Sequence, residues 1–87
     1  MDRTTLARIV IEVVRERSPG FTGDWSLETP LGPDGAGIDS VGCLEVILDL
    51  EARTSIAIRD ESLTAESLST IGSLVEYLAA AGQHTNG

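Results

Sequence analysis

The chain has 87 residues, of which 41% are apolar, enough for one compact core but too few for a second core or a deep enclosed active site. Its 14 acidic side chains outnumber 6 basic ones and leave a formal charge of -8, which repels nucleic-acid phosphates and anionic membranes and favours partners with positive patches. A single cysteine, Cys43, excludes an internal disulfide, and no run approaches the ~18 apolar residues of a membrane span, so a monomeric cytoplasmic protein is expected.

From Thr4 to Arg17, Leu6, Ile9, Val10, Val13 and Val14 recur at spacings of three and four, which predicts an amphipathic helix. Arg8, Glu12, Arg15 and Glu16 take its wet side, and Ser18-Pro19-Gly20 ends it. The charges spaced along Met1 to Arg17 do not form a secretory leader. Phe21 to Ile38 then carries Thr29-Pro30, Gly32-Pro33 and Asp34-Gly35-Ala36-Gly37, and is predicted to be a long loop. A connection of that length needs pins, and Phe21, Trp25, Leu27 and Leu31 are the candidates.

Asp39 is suited to cap a second helix, with Ser40 at its first position and an end near Arg53 and Thr54. Cys43, Leu44, Ile47 and Leu50 are expected to face the core, with Val41, Glu45, Leu48 and Ala52 on another face. After an extended piece through Ile58, Asp60 to Ser67 has room for a short helix anchored by Leu63. Ser69 or Thr70 then caps a last helix with Ile71, Leu74, Val75 and Leu78 inward, and residues 82–87 form a flexible tail. The expected fold is all-α, one domain over 1–87: a small four-helix bundle of three longer helices and one short one, with a long loop between the first two.

The most informative stretch is Gly37-Ile38-Asp39-Ser40-Val41, which sets a serine hydroxyl at a loop-to-helix junction. A phosphodiester built on Ser40 would lie beside the positive end of the helix dipole and near unpaired N–H groups, although the charge of Asp39 opposes part of that attraction. Local physics permits such an attachment; a plain helix start satisfies the same residues.

These five residues resemble the Gly-Leu/Ile-Asp-Ser-Leu attachment motif of acyl carrier proteins. The resemblance extends from about Leu6 to Leu78, taking in Thr29-Pro30-Leu31 and Thr70-Ile71 in the family's order. It implies a 4'-phosphopantetheine arm on Ser40, placed there from coenzyme A by a phosphopantetheinyl transferase, with acyl groups carried as thioesters on the terminal thiol. Asp39 would serve as motif residue and helix cap. It further implies a non-catalytic protein that docks through its second helix onto acyl-loading and acyl-processing enzymes with basic docking patches. Val41, Glu45 and Leu48 share one helical face for that purpose, and Asp49 and Glu51 flank it to add electrostatic steering. Gly42 departs from the acidic residue of many fatty-acid carriers and, with the extended loop, favours a dedicated polyketide, fatty-acyl or related specialised pathway over housekeeping lipid synthesis. A peptidyl carrier, or an acidic helical interaction module with no prosthetic group, are the alternatives.

Other chemistries fit poorly. An EF-hand frame from Asp34 to Glu45 fails at Ala36, Ile38 and Asp39, which supply neither the side-chain oxygens nor the glycine it needs. A serine hydrolase lacks the first glycine of its elbow and has His84 only in the expected tail. Cys43, expected to point inward, is better suited to packing than to nucleophilic work.

Overall fold

The computed structural model describes residues 1–58 and 63–83, which form three helices: α1 (Arg3–Glu16), α2 (Ser40–Thr54) and α3 (Ile71–Gln83). Helix α1 starts where Asp2 accepts a hydrogen bond from the Thr5 N–H at 2.8 Å, satisfying one of the donors a helix start leaves open. Leu6, Val10, Val13 and Val14 are buried as their spacing requires, Ile9 of the same row is only partly buried, and α1 packs against both α2 and α3. Helix α3 begins with a reciprocal cap. The Ser73 N–H donates to Thr70 Oγ1 and the Thr70 N–H to Ser73 Oγ, each at 3.0 Å.

The long loop is held by backbone bonds to the start of α3. Pro30 and Thr70 form an antiparallel bridge, in which the Leu31 N–H donates to Ser69 O and the Ile71 N–H to Thr29 O, both at 3.0 Å. The Gly72 N–H reaches Leu27 O at 2.7 Å. Leu31 and Ala36 enter the core, while Trp25 packs partly against it with Phe21 edge-on at a centroid distance of 4.8 Å. Leu27 does not pin the loop with its side chain, which is exposed; its carbonyl does that work instead.

Further expectations differ from the structure. The residues turned inward from α2 are Val46, Ile47, Leu50 and Thr54, so Leu44 lies outside, Cys43 is only partly covered, and Val46 takes the place assigned to them. Nor do the described residues show a fourth helix. Residues 60–62 of the expected short helix lie outside them, and 65–68 form a turn closed by the Leu68 N–H on Thr64 O at 3.2 Å. Helix α3 continues through Gly82 and Gln83, which were expected to open the tail, and the remaining 84–87 lie outside the described residues. Among the described residues, the fold is all-helical, with three helices and no named strand.

An ion-pair cluster ties α1 to α2 on the surface. Arg53 meets Asp49 at 2.8 Å, Glu16 at 3.0 Å and Glu12 at 3.8 Å, and Arg17 meets Asp49 at 3.2 Å. No described helix is long and apolar enough to cross a membrane.

Candidate functional site at the start of helix α2

The segment leading to Ser40 is folded back onto the pinned loop. The Ala36 N–H donates to Pro30 O, the Gly37 N–H to Gly32 O and the Ile38 N–H to Leu31 O, at 2.8 to 2.9 Å. Since Leu31 is itself in the core, Ile38 is held at a fixed height above it, and the chain enters α2 from a fixed direction. Gly37 makes the turn possible with φ of 72°, a left-handed conformation that a side chain would strain.

Asp39 is the N-cap. Its Oδ1 accepts from the Gly42 N–H at 2.7 Å, and its carbonyl accepts from the Cys43 N–H at 2.8 Å. Gly42 has a local reason to be glycine despite its cost inside a helix. A β-carbon there would lie 2.9 Å from Ile38 Cγ2 and 3.2 Å from Asp39 Oδ1, so its absence lets the cap close over the first turn.

Ser40 occupies the first helical position and is exposed. The N–H groups of Ser40 and Val41 donate to no other described residue, which leaves two backbone donors facing solvent beside the hydroxyl. A negatively charged substituent on Ser40 Oγ would find both of them, together with the positive end of the α2 dipole. The residues present therefore fit a phosphate ester at this serine. A shallow groove of about 320 Å³ runs beside it, lined by Arg17, Gly37, Ile38, Asp39, Val41, Gly42 and Glu45.

The remaining expected site residues divide into two groups. Val41, Glu45 and Leu48 are exposed together on the outward face of α2. Asp49 and Glu51 are half-buried and already engaged. Asp49 holds Arg17 and Arg53, and the Arg53 hydrogen bond, followed by burial acting in the opposite sense, then by the Arg53 and Arg17 charges, keeps its carboxyl below the ordinary 3.8. Glu51 Oε2 accepts from the Ile58 N–H at 2.8 Å, which fastens the chain after α2. Burial, and then the Asp39 charge, pushes the Cys43 thiol above its ordinary 9.0, which disfavours the thiolate a nucleophile needs. No group of three metal-binding side chains occurs among the described residues.

Two residues at the site escaped the sequence reading. Leu44 stands one turn beyond Ser40 on the outside, and Arg17, from the end of α1, reaches the groove beside the motif. The i+4 spacing from Ser40 pointed to Leu44; nothing local pointed to Arg17, whose partner Asp49 is 32 residues away.

Two curated proteins match the chain, each described as "Acyl carrier protein", one from a strain of Exiguobacterium and one from Exiguobacterium sibiricum. They are 42% and 40% identical to it over 45 residues. These relatives support the acyl carrier family. The match takes in 52% of this chain and 54% of each acyl carrier protein, so the chain spans about half the length of the curated relatives it matches. No family model and no solved structure matches it.

Proposed function

We propose that this protein is a non-catalytic carrier that holds acyl intermediates on a 4'-phosphopantetheine arm attached to Ser40. The observation that carries the reading is the exposed Ser40 hydroxyl at the first position of α2, behind Gly37-Ile38-Asp39 and beside two unclaimed backbone N–H groups. The similarity to curated acyl carrier proteins supports it.

When attached, the arm supplies a thiol that carries an acyl group as a thioester. The chain's own residues act before and around that chemistry. Asp39 fixes the first turn of α2, so that Ser40 Oγ is presented to a transferase rather than folded under the loop. The N–H groups of Ser40 and Val41 and the helix dipole stabilise the phosphate negative charge left on the serine. The outward face of α2, with Val41, Glu45 and Leu48, is where partner enzymes dock, and Asp49 and Glu51 act on that face by fixing the helix that presents it. Tethering then raises the effective concentration of the cargo at a docked active site, into the millimolar range or above.

The partners are a phosphopantetheinyl transferase and the enzymes that load and process the acyl group, in a cytoplasmic setting. Gly42, in a place where many fatty-acid carriers are acidic, favours a specialised acyl or polyketide pathway.

The deciding experiment is incubation with coenzyme A and a promiscuous phosphopantetheinyl transferase, followed by intact-mass measurement. Wild type is expected to gain the mass of one phosphopantetheinyl group and Ser40→Ala to gain nothing. An unchanged wild-type mass, or an equal gain in Ser40→Ala, overturns the reading.

A further inference from the structure

Arg17 reaches the groove beside Ser40 from the end of α1 and is the one cation lining it among the described residues. Its side chain is 27% exposed and is anchored through a single nitrogen: Nη1 donates to Val13 O at 3.3 Å and to Asp49 Oδ2 at 3.2 Å. Both contacts are longer than the ~2.7–2.9 Å of a close charge-assisted bond, and Asp49 is held more closely by Arg53, at 2.8 Å. Nε and Nη2 of Arg17 have no partner among the described residues, so most of the N–H donors of its guanidinium are uncommitted.

The rest of the groove is poorly suited to an anion. Asp39 and Glu45 both line it, and together they outweigh the positive end of α2, which counts as only about half an elementary charge. A phosphodiester on Ser40 would bring a further negative charge to this place. The Ser40 and Val41 N–H groups offer it hydrogen bonds but no net charge, so the electrostatic balance falls to Arg17. A planar guanidinium matches the spacing of phosphate oxygens, and one already tied to Val13 O and Asp49 loses little freedom on taking a second anion.

From this arrangement we infer that Arg17 is a binding residue for the phosphate of the arm: Nε and Nη2 take the phosphodiester on Ser40 while Nη1 stays on Asp49, which fastens the loaded serine to the end of α1 as well as to α2. The inference rests on Ser40 being the attachment site. Its physical consequence is that loading strengthens the fold through one side chain contributed by a different helix from the one that carries the serine.

The test compares apo protein with protein loaded from coenzyme A by a promiscuous phosphopantetheinyl transferase, each form checked by intact mass. The change in Tm on loading is expected to be more favourable in wild type than in Arg17→Gln by about 3 °C or more, and that excess is expected to shrink from about 50 to about 500 mM sodium chloride. Arg17→Lys keeps the charge without the fork and is expected to retain part of the excess. Arg15→Gln removes the same charge from an exposed position outside the groove, and its change on loading is expected to match wild type within about 1 °C. In heteronuclear NMR spectra of the wild type, loading is expected to move the Arg17 Nε resonance and to leave those of Arg8 and Arg15 in place.

An equal change in Tm for wild type and Arg17→Gln overturns the inference and leaves the carrier reading standing, and so does an Arg15→Gln that loses the same share as Arg17→Gln. An Arg17 Nε resonance that loading leaves unmoved overturns it without recourse to a variant, which decides the matter even where Arg17→Gln does not fold. A wild type that takes up no mass removes the carrier reading and this inference with it.

Discussion

The orientation of α2 about its own axis decides which side chains surround Ser40, and a pair of alanine substitutions measures it. Val46 is 3% exposed and packed in the core, whereas Leu44 stands in solvent. Val46→Ala removes two methyl groups at about 0.8 kcal/mol each and leaves a small cavity, while alanine returns about half a kcal/mol of helix propensity; the net loss is about 2 kcal/mol. For a chain of this size that corresponds to a fall in Tm of roughly 8–16 °C. Leu44→Ala removes a larger side chain yet is expected to change stability by no more than about 0.5 kcal/mol, because little of what it removes is buried. Urea unfolding followed by far-ultraviolet circular dichroism gives both values from one series, with the denaturant slope as a check that the two unfolded states are comparable. If Leu44→Ala proves the more damaging of the two, α2 is turned by about a third of a revolution from the orientation described, and Leu44 leaves the outward face.

Other perturbations bear on the same surfaces. Ser18 is buried and its hydroxyl finds no partner among the described residues, so Ser18→Ala is expected to raise the urea midpoint, by about 1 kcal/mol in stability, as an unsatisfied polar group is removed. Asp49 binds its proton more weakly in the folded protein than in the unfolded chain. Its contribution is therefore complete above the ordinary 3.8 and is lost as pH falls through the lower folded value, and the stability difference between wild type and Asp49→Asn should shrink in that acid window and be flat from about pH 5 to 7. Gly42→Ala ought to stabilise an isolated helix by about 1 kcal/mol, but here the new methyl meets Ile38 and the Asp39 carboxylate, so a net loss of stability and slower loading of Ser40 are expected; a gain in Tm would show that the cap does not need the glycine.

The features legible along the chain are those made by neighbours in sequence. The caps at Asp39 and Thr70 each bond to an N–H three residues on, and the buried row of α1 follows from its own spacing; the Asp2 cap of α1 has the same local form but was not read from the sequence. Ser40 as the candidate attachment site was legible in the same way, because Gly37 to Val41 is contiguous and Asp39 closes on Gly42. The misplacement of Leu44 has an equally specific origin. Helix α2 is apolar on two sides, so the rows 43, 44, 47, 50 and 46, 47, 50, 54 both satisfy the helical period, and only the position of α1 distinguishes them.

Residue type and bonds spanning a few residues were enough to place the starts of α2 and α3, the serine at the first of them and the acidic balance. Which side of α2 is wet, how residues 21–38 are held against the start of α3, and that Asp49 and Glu51 are tied down while Glu45 is not, emerged with the folded chain. Those outcomes rest on contacts such as Arg17 with Asp49 and Thr29 with Ile71, and a local pattern cannot register partners that meet only after the chain has folded back on itself.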